Sequence, residues 1–321
     1  MKRRTFLAAT ASAALLPSAA LAQAYPSKTV RFVVPYPAGG IVDLMARSMS
    51  EALATKLGQP VIVEARPGAD ASIGTDAVAK AEPDGHTLLL ATLALAVNPH
   101  LNKVPWHPVE DFEGVAHVGV VANVAAVTPS LGVKDMNAFV ALARARPGQI
   151  NYVNPGNGSS PHVSTELLQQ INDIRLTSIN YRGIPPAIPD FLSGTVPFGF
   201  FTLATIAPHI RSGKAQPIGI ALPVRHKEFP DVPTLTEQGF LSSQVNSWYA
   251  IAVPKKTPRA GIERLNRDFN ALLAEEDTVG RIDKLGGTVI AGWSPQQTAK
   301  MIADEYARWG EVTRKAGIAA K

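Results

Sequence analysis

Apolar positions along the chain switch between two periods. Short β-branched runs at Thr29 to Val34, Val61 to Glu64 and His86 to Ala91 read as strands, and the segments between them carry helical spacing. Ile41, Leu44, Met45, Met49, Leu53 and Leu57 predict a helix over 41–57, which Gly58 stops with a left-handed cap. The same strand, loop and helix recur in mid-chain. Ile150 to Val153 reads as a strand and Pro155 to Ser159 as a loop; Ser160-Pro161 reads as N-cap and first residue of a helix bearing Val163, Leu167, Leu168 and Ile171. Further strands are expected at Leu176 to Asn180, Val196 to Phe201 and Pro217 to Ala221. Thr257-Pro258 opens an amphipathic helix with Ile262, Leu265, Phe269, Leu272 and Leu273 on one face, and Ser294-Pro295-Gln296-Gln297 is a capping-box start for a last helix. This alternation predicts an α/β protein with parallel layers.

The first 24 residues break the rhythm. Lys2, Arg3 and Arg4 precede an apolar run from Phe6 to Leu16 and small-residue cleavage sites after Ala22 or Ala24, the three-part pattern of a secretory signal peptide. Arg3-Arg4-Thr5-Phe6-Leu7 resembles a twin-arginine signal, and an ordinary Sec signal fits as well, so the expected location is the periplasm by either route. Losing Lys2, Arg3 and Arg4 lowers the formal net charge from +5 to +2, which gives no reason to invoke nucleic acid. The about 300 residues that follow exceed one typical core. A two-lobed arrangement is expected: residues 25–122 plus 226–321 in lobe 1 and 123–225 in lobe 2, with two crossings that form a hinge.

Two loops carry the candidate chemistry. Tyr36, Pro37, Ala38, Gly39 and Gly40 lead from a strand into a helix whose first-turn amides lack partners within the helix, an arrangement that attracts anions. An ordinary tight turn is the alternative. Gly156, Asn157, Gly158, Ser159, Ser160, Pro161 and His162 make a second such loop, with hydroxyl and amide side chains added. Two helix termini facing across a cleft would clamp a small anion. Asp43 falls in the first turn of the first helix, where it either caps the terminus or meets the ligand. Arg182 is a candidate partner for a ligand carboxylate. Tyr36, Tyr181 and Phe201 are candidates to wall the pocket, and Thr92 to offer a hydroxyl.

Other chemistries lack their signatures. There are no cysteines, so disulfides, thiolate metal sites and a cysteine nucleophile are excluded. Neither loop ends as a phosphate-binding P-loop does, and no Gly-x-Ser-x-Gly elbow or His-Glu-x-x-His site occurs. No cofactor, metal or catalytic residue is expected, and the two-residue step from Ser160 to His162 favours local capping over a proton relay.

PYPAGGIVDLMAR from Pro35, LGQPVIVEARPGADASIGTDAVAKAEPDGHTLL from Leu57, GNGSSPH, YRG, and FPDVPTLTEQGF followed by Trp248 and Val253-Pro254 occur in an order that resembles the Bug-type substrate-binding receptors of tripartite tricarboxylate transporters. The likeness spans nearly the whole chain after residue 24. It implies a type II periplasmic-binding-protein fold, ligand carboxylates held by the loops Tyr36 to Gly40 and Gly156 to His162, and a membrane transporter as partner. A monomer is expected. A sensory accessory presenting ligand to a membrane signalling protein and a periplasmic hydrolase are the alternatives. Ala65, Asp70 and His86 replace the family's usual asparagine, glycine and tyrosine, with effects expected only on local packing. Phe201 stands where aspartate is common near the cleft, which implies a less polar ligand.

Overall fold

The computed structural model describes residues 25–222, 224–240 and 245–315. The leader peptide expected at residues 1–24 lies outside them. The strands are β1 (Val30–Val34), β2 (Val61–Ala65), β3 (Thr87–Thr92), β4 (Phe112–Val121), β5 (Asn123–Val127), β6 (Asn151–Asn154), β7 (Thr177–Asn180), β8 (Phe198–Thr202), β9 (Gln216–Ile220), β10 (Ser247–Pro254) and β11 (Gly287–Val289). The helices are α1 (Ile41–Leu57), α2 (Ser72–Ala79), α3 (Leu93–Leu101), α4 (Met136–Ala145), α5 (Ser160–Asn172), α6 (Ile188–Ser193), α7 (Leu203–Arg211), α8 (Arg259–Leu273), α9 (Glu276–Lys284) and α10 (Pro295–Lys315).

The strands form two sheets, ordered β11-β4-β10-β3-β1-β2 and β7-β6-β8-β5-β9. Each has a parallel part built by strand-helix-strand crossovers: β1 with β2 and β3, and β6 with β7 and β8. The expectation of wholly parallel layers needs correction, because β10 runs antiparallel to β3 and β4, and β5 antiparallel to β8 and β9. These strands arrive from the other sheet without a covering helix between, so no crossover constrains their direction. Only Ala122 separates β4 from β5. Beside this crossing, Asn123 Nδ2 donates to the Val245 carbonyl at 2.7 Å, which ties the outgoing chain to the returning one.

Helices cover both faces of each sheet. In the first, α1 and α8 bury Met45, Met49, Leu265 and Phe269 against Phe32, Leu88 and Ile251, while α3 and α10 pack Leu95, Ile302 and Trp309 on the other face. In the second, Phe139 of α4 stacks on Phe198 at 4.0 Å, and α6 and α7 cover the opposite face. Helix α5 lies between the two bodies: Val163 and Leu167 join the core of the first sheet, and Leu168 that of the second. This double burial fixes where its N-terminus points. Among the described residues no helix is long and apolar enough to cross a membrane.

The N-cap of α5 is Ser159, one residue before the expected Ser160. Ser159 Oγ accepts from the His162 amide at 3.4 Å, the three-residue reach of a serine cap, and Ser160 thereby enters the helix. The capping box at Ser294 forms as expected: Ser294 N donates to Gln297 Oε1 at 2.8 Å and Gln297 N donates to Ser294 Oγ at 3.2 Å.

Candidate ligand-binding cleft

A cavity of about 680 Å3 opens between the two bodies. Four strand ends feed it, each passing directly or through a short loop into a helix: β1 into α1, β3 into α3, β6 into α5 and β8 into α7. Ligands of open α/β sheets bind in this position, beyond the carboxyl ends of the strands. The caps of α1, α3 and α7 (Gly40, Thr92 and Thr202) make no side-chain hydrogen bond to the helix backbone, Thr202 pairing instead with the Thr205 hydroxyl at 2.9 Å, so their first-turn amides are not consumed by a cap. Each helix N-terminus also contributes partial positive charge.

The structure brings together part of the set expected from the sequence. Tyr36, Pro37, Ala38, Gly39, Gly40, Thr92, Ser159 and Arg182 line the cavity. Gly39 has φ +80 and open space where a side chain would begin, so it turns the loop into α1 without blocking the cleft. Thr92 is buried, and its Oγ1 makes no full hydrogen bond in the protein, although it approaches the Tyr36 phenol. Asp43 lies behind the wall, where its Oδ2 accepts from Gly39 N at 2.9 Å and from Arg47 Nε at 2.8 Å. Burial would raise its pKa, but the Arg47 and Gly39 hydrogen bonds outweigh it and hold the carboxyl below its usual range. Its role here is to brace the loop.

Others of the set lie off the cavity wall. Gly156, Asn157, Gly158 and His162 brace the second loop from behind: Asn154 Nδ2 donates to Asn157 Oδ1 at 3.0 Å, and Gly158 N donates to His162 Nδ1 at 3.3 Å. Gly158 has φ +73, and a Cβ there would run into Asn98 Oδ1 of α3, so this glycine serves the contact between the bodies. Tyr181 donates its hydroxyl to Asp190 Oδ2 at 2.7 Å, and burial together with that carboxylate pushes its pKa up to about 12. Phe201 does not face the cleft. Its ring is wholly buried against Phe191, with centroids 4.6 Å apart, because alternation along β8 turns it into the core. The neighbouring Thr202 reaches the cavity instead, and the basis for a less polar ligand disappears.

Sequence reasoning missed Leu93, Ala94, Thr202, Thr205, Ser247, Tyr249 and Lys284, which also line the cavity. Thr202 before an apolar run is a readable cap signal. Ser247 and Tyr249 offer none, since β10 reaches the cleft only through the chain's return crossing. Burial raises the Tyr36 and Tyr249 phenols above their ordinary range, so both stay protonated and can donate. The wall holds no carboxylate, and its two charged side chains, Arg182 and Lys284, are cationic and without an ion-pair partner among the described residues. The described residues include no cluster suited to a metal ion.

Two α/β bodies joined by a β-strand crossing, with a cleft at their strand ends, define a two-lobed solute receptor of the periplasmic-binding-protein class. Solved structures share the whole architecture. Rpa4515 of R. palustris with adipate superposes at a TM-score of 0.85, with 29% identity over 92% of this chain and 99% of that one. MatC from Rhodopseudomonas palustris with bound malate superposes at 0.83, with 29% identity over 90% and 99%. The protein BugT of Bordetella pertussis is 37% identical over 94% of this chain and 93% of its own length. Residues 45–318 match the model of the tripartite tricarboxylate transporter family receptor, TctC, and the chain belongs to that family.

Proposed function

We propose that this protein is an exported periplasmic receptor that captures a small carboxylate, most favourably a dicarboxylate, by closing its lobes, and delivers it to a tripartite tricarboxylate-type membrane transporter. The observation that carries this reading is the convergence of four helix N-termini, three without side-chain caps, on a cavity that has two unpaired cations and no acid in its wall. Amide donors and helix dipoles hold one carboxylate. Arg182 and Lys284 favour a second negative charge, and apolar residues such as Leu44, Leu93 and Ile184 suit a short hydrocarbon spacer. The cavity lies within the size range of small-ligand sites. Adipate and malate, bound by the two related proteins, are dicarboxylates of different length and supply the first probes.

Binding without turnover is supported by the local chemistry. Ser160 Oγ is engaged with Ser247 Oγ at 2.5 Å, and the His162 ring is turned to the Gly158 amide, so neither pairs with the other as nucleophile and base. Residues 25–122 and 245–315 form lobe 1 and residues 123–222 with 224–240 lobe 2, since Phe229, Val232, Leu235 and Phe240 pack into the second sheet's core while Val245 joins the first, with Ala122 at the hinge. The leader at residues 1–24 supports export.

A thermal-shift screen of the chain from Tyr25 against mono-, di- and tricarboxylates, amino acids and uncharged solutes tests the proposal, because a ligand that binds only the folded state raises the melting temperature. A rise of several degrees with dicarboxylates is expected. Stabilisation by uncharged solutes alone would overturn the reading.

A further inference from the structure

Asp70 departs from local packing altogether: its side chain crosses from the first lobe to the second. Asn157 N donates to Asp70 Oδ1 at 3.0 Å, and Asn157 Nδ2 donates to Asp70 Oδ2 at 3.2 Å. Both carboxylate oxygens are thus spent on one residue of the loop that leads into α5. The Asp70 carbonyl in turn accepts from Asn98 Nδ2 of α3, a wholly buried side chain. Asn98 sits against Gly158 of that same loop.

The backbone beneath Asp70 is held in an unusual state. Ala69, Asp70 and Ala71 have φ of +45, +53 and +72, three consecutive L-residues in the left-handed region. Such a run persists only where surrounding contacts over-determine it, and it clusters at ligand clamps and switches. Here it lifts one carboxylate off the start of α2 and aims it across the lobe boundary. On the other side of that boundary, Asn154 holds Asn157 and the Gly156 amide, so the loop receiving Asp70 is itself rigid.

We propose that Asp70 is a positioning residue that clasps the second lobe's ligand loop onto the first lobe and holds the cleft closed. It does not line the cleft between the lobes, so it acts through the loop that carries Ser159 and Ser160 into the wall. The ligand role of that loop rests on the function proposed above; the clasp itself does not. Asp70 thereby sets the balance between open and closed forms, which scales apparent affinity by the closed fraction.

The chain has no cysteines, so Glu51→Cys on α1 and Arg146→Cys after α4 accept a pair of spin labels on the two lobes without background. Double electron–electron resonance then reads the interlobe distance in ligand-free protein. Asp70→Gly removes the carboxylate while suiting the left-handed backbone, so the fold is retained and the melting curve confirms it. Relative to the parent, Asp70→Gly is expected to move the distribution to longer distances, with Asp70→Asn, which keeps one acceptor, in between. For a carboxylate found in the thermal-shift screen, Asp70→Gly speeds dissociation by about tenfold, the scale of one charge-assisted hydrogen bond. Superimposable distance distributions in all three proteins would overturn the clasp. A shifted distribution in a protein that binds no carboxylate would uphold the clasp and sink the ligand reading instead.

Discussion

His162 stands at the start of α5 almost wholly buried, and that burial drives its imidazole pKa down to about 4. His117 on β4, packed on Trp293 with centroids 4.6 Å apart, falls to about 4 for the same reason, with a backbone hydrogen bond to Ile290 opposing. Both folded-state values lie below the unfolded value of about 6.5, so the unfolded chain binds more protons between these limits. Their contribution to stability is therefore present above pH 6.5 and lost as pH falls toward 4. Urea unfolding is expected to show stability declining by up to about 1.4 kcal/mol per pH unit for each histidine within that window. His162→Gln should remove its share of the slope; an unchanged slope would contradict a neutral, buried ring. Residue-level legibility follows the same division between local and distant causes. Tyr36 to Gly40 are readable because a glycine-bearing turn between strand and helix is a local pattern, whereas the inward face of Phe201 depends on which side of β8 the second lobe covers.

The best-read elements are those whose periodicity agrees with their ends. Helix α1 begins and stops at the residues its spacing and Gly58 indicate, with Gly58 at φ +69 donating to the Ala54 carbonyl. Helix α3, Leu-Ala-Leu-Ala-Val-Asn-Pro-His-Leu, is apolar nearly all round and follows a buried strand, so no period separates it from a continuing strand. Helix α7 is short and carries Pro208 inside, which hides it in the same way. These two hidden helices supply half of the N-termini at the cleft, and a two-loop clamp read from sequence becomes a four-helix one. Thr92 tests the α3 terminus. Thr92→Val removes a buried hydroxyl that makes no full hydrogen bond in the protein and only approaches the Tyr36 phenol, so stability is expected to change by no more than about 1 kcal/mol. Carboxylate affinity, measured by calorimetry with the best ligand of the screen, should fall about tenfold if the hydroxyl meets the ligand. Equal affinity in the variant would remove α3's cap from the binding surface.

At the scale of the molecule, two similar strand-loop-helix units far apart in sequence are enough to indicate two lobes meeting at a cleft. The antiparallel strands β5 and β10 are not legible, because their direction is set by how the chain passes between lobes and not by any period within them. β10 is buried along its full length, so it lacks even the alternation that marks a one-sided strand. Yet one of these crossing strands, β10, brings Ser247 and Tyr249 to the cavity. On the proposed function, the cleft recognises negative charge through helix termini and two unpaired cations. Titration calorimetry of one dicarboxylate beside its uncharged diamide of equal length tests this most directly. Saturable binding of the diacid with no measurable binding of the diamide is the expected result; a diamide that binds as tightly as the diacid would contradict it.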